Sequence, residues 1–219
     1  MENSIIGGKK MGNLLVKQMV VGDLQTNCYL ISHPETLETI LVDPADEADR
    51  IQREIEKNGL KPVVILLTHG HFDHMGAADL LRKRYQILVY CSETEREVAE
   101  NMEWNLSGIF GNGFSFMADA VFRDKEILHY LGEEIEVIAT PGHTQGSCCF
   151  YFRREGFLLS GDTLFAESVG RTDFPTGSGR KLQQSIVERI YCLPEETVVY
   201  PGHYGETTIG HEKKYNPCV

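Results

Sequence analysis

Four short segments of this chain carry side chains that bind metals, and each directly follows an apolar or β-branched run. Thr68-His69-Gly70-His71-Phe72-Asp73-His74 follows the run at 63–67, and Pro141-Gly142-His143 follows the run at 135–140. Gly161-Asp162-Thr163 follows 157–160, and Pro201-Gly202-His203 follows 197–200. Five of the eight histidines lie in these segments. A lone His-x-His pair says little. Four ligand-bearing segments, each at a strand end, require a scaffold that presents them on loops, where rigid folds place their chemistry.

Imidazole and carboxylate suit zinc, iron and manganese, whereas structural zinc favours thiolates. None of these segments contains cysteine, which argues against a closed structural site. His69, His71 and His143 can hold one metal, Asp73, His74 and His203 a second, and the two oxygens of Asp162 can bridge them. The cofactor expected is therefore two divalent metal ions, zinc first, with iron or manganese accepted by the same ligands. Two metals about 3.5–4 Å apart share a hydroxide and polarise a carbonyl together. Asp43, at a strand end in Val42-Asp43-Pro44, is placed to accept a hydrogen bond from the loop or from a ligand imidazole.

Short runs at 14–21, 28–32 and 39–42 read as a strand meander, followed by a helix over 46–58 with Ala48, Ile51 and Ile55 on one face and Gly59 closing it. The pattern predicts strands at 63–67, 87–90, 135–140, 148–152, 157–160 and 197–200, and helices at 77–85 and 181–191. Ser92 and Glu95 have capping-box spacing for a helix running towards Met102. Residues 105–120 read as a loop insertion. Alternation along 148–152 points one of Cys148 and Cys149 inward and the other outward. Grouped strands with helices between some of them indicate an α+β or layered α/β fold, two sheets sandwiched by helices, in one domain over 1–219. Residues 1–12 read as a loose extension.

A net charge of −11 argues against a nucleic-acid partner or an anionic membrane surface. Six cysteines without a regular framework read as reduced thiols. No run is long and apolar enough for a membrane span, and no signal peptide is legible. A cytoplasmic protein, monomer or homodimer, is expected.

The full set of segments resembles the metallo-β-lactamase superfamily over essentially 14–219. Pro141-Gly142-His143-Thr144-Gln145-Gly146-Ser147, Gly161-Asp162-Thr163-Leu164-Phe165 and Gly170-Arg171-Thr172-Asp173-Phe174-Pro175 narrow it to a compact glyoxalase II-like, hydroxyacylglutathione hydrolase-like group. The resemblance implies a four-layered αβ/βα sandwich. It also implies a thioesterase that cleaves small-molecule S-acyl (hydroxyacyl) thiol conjugates by attack of a metal-bridging hydroxide, with Asp73 as catalytic residue orienting the hydroxide proton. β-Lactamases usually carry cysteine where Asp162 stands, or a different second-site pattern, which disfavours antibiotic hydrolysis. Alternatives on the same fold are a mono-iron persulfide dioxygenase using His69, His143 and Asp162, and a lactonase or esterase. Glyoxalase II has a helical C-terminal domain that supplies cations to glutathione, and the residues after His203 are too few to build one. Arg171 stands near the place of a glutathione-binding lysine and is the candidate substrate anchor.

Overall fold

The computed structural model describes residues 8–219. Two sheets face each other. In the first, the strands run Lys9–Met11, Leu14–Val21, Thr26–Ser32, Glu38–Val42, Lys61–Leu66, Leu88–Ser92 and Ala120–Phe122, in sequence order across the sheet. In the second, the order is Thr207–Thr208, Val198–Pro201, Phe157–Gly161, Cys148–Phe152, Glu133–Ala139 and Ile127–Tyr130. Period-two alternation explains the layering. Val64 and Leu66 face the second sheet, together with Phe150, Phe152, Phe157 and Leu159, and form the inner core. Ile65 and Leu67 face the other way, under the helices Ala48–Lys57 and Ala78–Tyr85, with Ile51, Ile55 and Leu81. Leu158 and Val199 meet Leu182, Ile186 and Ile190 on the outer face of the second sheet. The result is the four-layered αβ/βα sandwich, with helices outside both sheets.

Parallel pairing gathers the chemistry at one edge. Glu38–Val42 pairs parallel with Lys61–Leu66, and that strand with Leu88–Ser92, in a register that sets Val42, Leu66 and Tyr90 side by side. The segments that follow, with Asp43, His69 and Glu95, therefore emerge together. In the second sheet Phe157–Gly161 is parallel to Val198–Pro201 and pairs Gly161 with Pro201, so Asp162 emerges beside His203. The antiparallel strands ending at Ala139 and beginning at Cys148 are joined by a hairpin that carries His143, closed by Thr140 N–H donating to Ser147 O at 2.8 Å. Cys148 N–H donates to Thr68 O at 2.9 Å, tying the two sheets directly at this edge.

Several expectations need correction. Residues 9–11, expected in a loose extension, pair with Leu14–Val16 as an edge strand; residues 1–7 lie outside the described residues. Ser92 and Glu95 form no capping box. Ser92 Oγ pairs with Thr94 Oγ1 at 3.0 Å, and the Glu95 carboxylate turns inward to other partners. The reading of 105–120 as a loop insertion misses the helix Ser107–Phe110, which Asn105 braces by donating from Nδ2 to Ala99 O and Phe114 O. Cys148 and Cys149 point to opposite faces and are buried thiols, as expected, because helices cover the outer face as well. The helix expected over 181–191 is Gly179–Ser185 running into a π-helical turn, Ile186–Ile190. The strands Ala120–Phe122 and Ile127–Tyr130 and the helix Ile209–Tyr215 gave too short a pattern to be read. No helix among the described residues is long and apolar enough to cross a membrane.

Candidate metal centre

His69 Nε2 and His143 Nε2 both approach His71 Nδ1, at 3.1 and 2.9 Å. The outer bonds fix which nitrogen is free. Thr68 Oγ1 donates to Asp43 Oδ2 at 2.6 Å and so receives the His69 Nδ1 proton at 3.1 Å. His143 Nδ1 donates to Arg171 O at 2.7 Å. The Nε2 lone pairs of both rings therefore point at His71. Three imidazoles converging in a dry place repel unless protons or a cation lie between them. Burial first, and then the neighbouring imidazoles, hold His69 well below the usual histidine range, and burial and His143 do the same for His71. Protonation is thus disfavoured and a cation fits. Tetrahedral zinc with bonds of about 2.0–2.1 Å spaces its ligands about 3.3 Å apart, close to what these nitrogens show.

The second set is more open and more charged. His74 Nδ1 donates to Asp43 Oδ2 at 3.0 Å, which leaves Nε2 facing Asp162 Oδ1 at 3.4 Å and Asp73 Oδ2 at 3.7 Å. His203 Nε2 lies 3.5 Å from Asp73 Oδ2 and 3.6 Å from Asp162 Oδ2. Asp162 Oδ2 is also 3.5 Å from His143 Nε2, so this carboxylate touches both sets. His74 Nε2 and Asp162 Oδ1 are buried without a hydrogen-bond partner among the described residues. Burial would lower the His74 pKa, but the Asp162, Asp73 and Asp43 carboxylates outweigh it and push it up to about 10. Burial would raise Asp73, but His74 and the hydrogen bond with His203 hold it well below the usual carboxylate range. A cation in place of the His74 proton would satisfy both His74 Nε2 and Asp162 Oδ1.

All seven expected ligands thus come together, in overlapping groups whose donor atoms lie within 4.8 Å of one another: His69, His71 and His143; His69, His74 and Asp162; Asp73, His74 and His203. Asp43 stands where expected, beneath His74 and Thr68, whose N–H it also accepts at 2.8 Å. Gly202 is required by space: a Cβ there would sit 2.2 Å from Asp162 Oδ1 and 2.7 Å from His74 Cε1. Arg171 lines the cavity beside the centre, but its guanidinium grips Asp173 through two bonds of 2.8 and 2.7 Å and lies over the Phe174 ring. That cavity holds about 970 Å³, walled by Leu24, Phe110, Phe165, Phe174 and Tyr204, and is also lined by His71, Asp73, His143, Asp162 and His203.

Sequence reasoning missed Thr26, Asn27 and Glu95. Thr26 Oγ1 donates to Asp73 Oδ2 at 3.2 Å, and Asn27 Nδ2 donates to Pro201 O and Tyr204 O, both at 2.9 Å, pinning the His203 loop to the first sheet. Their signal was only position: two small polar residues opening a strand. Glu95 is fully buried; burial pushes its carboxyl up to about 7 against the pull of its three hydrogen bonds.

Comparison with known proteins agrees with this geometry. The sequence model of the metallo-beta-lactamase superfamily matches residues 21–203. The hydroxyacylglutathione hydrolase GloC of Haemophilus influenzae is 36% identical over 199 residues, covering 89% of this chain and 93% of that protein. Among solved structures, the BLEG-1 B3 metallo-beta-lactamase superposes with a TM-score of 0.89 at 37% identity, over 93% of this chain and 98% of that one. TTHA1623, solved in a di-iron-bound form, superposes with a TM-score of 0.82 at 34% identity, over 93% of this chain and all of that one, 100%.

Proposed function

Because the chain belongs to the metallo-β-lactamase superfamily, we propose that this metallo-hydrolase is a binuclear thioesterase of glyoxalase II type, cleaving S-acyl conjugates of small thiols. The observation that carries the reading is Asp162, whose two oxygens lie within 3.4–3.6 Å of imidazole nitrogens from both ligand sets. His69, His71 and His143 would hold one cation and Asp73, His74 and His203 the other, with Asp162 between them. When bound, two such cations supply an activated water and polarise the substrate carbonyl.

The remaining work falls to the chain's own groups. Asp73, kept ionised and held by the Thr26 hydroxyl, accepts a hydrogen bond from the attacking water and orients it. The aromatic wall of Phe110, Phe165 and Phe174 seats the acyl chain and thins out water around the carbonyl. A thiol has a pKa of about 8.5, so the thiolate leaves without a proton donor. An amide nitrogen must gain a proton as it leaves, and an ionised Asp73 is a poor donor. The likeness to BLEG-1 nevertheless makes β-lactam hydrolysis the second reading to test. A mono-iron oxygenase built on His69, His143 and Asp162 leaves His71 Nδ1 idle, although it lies 2.9 and 3.1 Å from its two neighbours.

The test is hydrolysis of S-lactoylglutathione by zinc-, iron- and manganese-loaded protein, beside a simple lactone, glutathione persulfide and a penicillin. Thioester turnover should dominate, and Asp73→Ala should lower it by about 10³-fold, the several kcal/mol that such centres contribute. Near-normal turnover by Asp73→Ala with both metals bound overturns the role of Asp73. Faster turnover of another substrate overturns the thioesterase reading.

A further inference from the structure

Glu95 is 0% exposed and forms no ion pair among the described residues. Burying a carboxylate away from any opposite charge costs several kcal/mol unless hydrogen bonds replace its water. Three do. Gly70 N–H donates to Oε1 at 2.8 Å, while Gly146 N–H and the Thr144 hydroxyl donate to Oε2 at 2.8 and 2.9 Å. Gly70 belongs to the first sheet's loop and lies between His69 and His71. Thr144 and Gly146 belong to the second sheet's hairpin, and Thr144 follows His143 directly. The carboxylate touches no ligand, but it clamps the two backbone segments that carry all three nitrogens of the three-histidine set.

The surroundings are shaped for this clamp. A Cβ on Gly146 would lie 2.5 Å from the Glu95 backbone N, so the hairpin reaches the carboxylate only because residue 146 is glycine. Thr144 is itself braced, its hydroxyl 2.6 Å from Ser147 Oγ and its carbonyl accepting from Gly142 N–H at 2.8 Å. The Asp73, His74 and His203 set has its own supports, Asp43, Thr26 and Asn27, and none of them runs through Glu95.

We propose that Glu95 is a positioning residue for the three-histidine half of the centre: it fixes the spacing between the His69–His71 loop and the His143 hairpin, so that this half receives its cation already assembled. The inference rests on the two-metal reading above. Losing an outer support of this kind typically weakens metal binding about 10–100-fold. The loss should fall on one half alone.

The experiment measures zinc affinity of metal-stripped protein by competition with a chromophoric chelator. Asp73→Ala isolates the three-histidine half and His71→Ala the other. Glu95→Gln, which keeps the shape but offers an NH2 where an acceptor is needed, should weaken zinc about 10–100-fold in the Asp73→Ala background and leave the His71→Ala background unchanged. Thr144→Val, which removes one donor and keeps the charge, should weaken the same half by a smaller factor, and Thr144→Ser should restore it. Equal weakening in both backgrounds marks a merely structural role and overturns the proposal, as does no change in either. If Glu95→Gln fails to fold, Thr144→Val decides, and unchanged affinity there overturns it. An Asp73→Ala protein that binds no zinc at all refutes the two-metal reading and this inference with it, whereas tight zinc binding there that Glu95→Gln leaves untouched refutes the inference alone.

Discussion

The two halves of the centre are built differently. His69, His71 and His143 are all nitrogen, fully buried, and brought to 2.9–3.1 Å by backbone clamps and neutral hydrogen bonds. Asp73, His74 and His203 stand 3.5–3.7 Å apart and are held by charge. Burial keeps the first half unprotonated, whereas the carboxylates keep His74 protonated until a cation arrives. One half is preassembled and waits. The other must exchange a proton for its metal, and both halves line the cavity, through His71 and His143 on one side and Asp73 and His203 on the other. The difference is electrostatic: one half meets a cation as neutral nitrogens, the other as an ionised network.

The contrast can be broken most severely at the group common to both halves. Asp162→Ala should lower turnover by about 10³-fold or more and reduce the tightly bound metal below two per chain, read by kinetics together with elemental analysis. Two retained metals would mean that the halves are independent.

Asp43→Asn should weaken metal in the His74 half about 10–100-fold, and by a smaller factor in the three-histidine half, which it reaches only by way of Thr68 and His69, read by chelator competition. It should also lower stability by about 1–3 kcal/mol, read by urea unfolding, because Thr68 N–H or Oγ1 loses an acceptor in a buried place.

Without metal, the halves should respond oppositely to pH. His74 is raised from 6.5 to about 10 in the folded protein, so its contribution is fully present below pH 6.5 and lost as pH rises towards 10. His69 and His71 are lowered, so theirs is present above pH 6.5 and lost as pH falls. Denaturant unfolding in excess chelator should therefore show stability falling from pH 6.5 to 10, and His74→Asn should flatten that limb.

The smallest effect belongs to the rim. Arg171→Ala should raise KM for an anionic thioester by no more than about 10-fold with kcat unchanged, because Asp173 already occupies the guanidinium. A larger rise would place the arginine in direct contact with substrate.

Metal chemistry restricts residue types so severely that every residue the fold brings together at the centre could be read from spacing and strand ends. The sandwich was legible too, since runs such as 63–67 are apolar on both faces only when both faces are covered. What escaped was support. Glu95 carries the pattern of a helix cap, and nothing local distinguishes a carboxylate facing water from one folded inward onto a loop 25 residues earlier and a hairpin about 50 residues later. Asn27 works by reaching Pro201, a contact 174 residues apart that no window along the chain contains. Asp43 was legible as a partner, but its left-handed backbone, φ 48°, was not; that turn aims its carboxylate back at Thr68 and His74.

Each half draws side chains from both sheets, and this gives the centre a history as well as a shape. During synthesis His69 and His71 emerge first, and the His143 hairpin can close over them while the rest of the second sheet is still being made. The other half waits for Val198–Pro201 to slot in beside Phe157–Gly161 and deliver His203. All three nitrogens of one half are thus present in the chain from residue 143 onward, whereas the other half stays incomplete until residue 203 has been made.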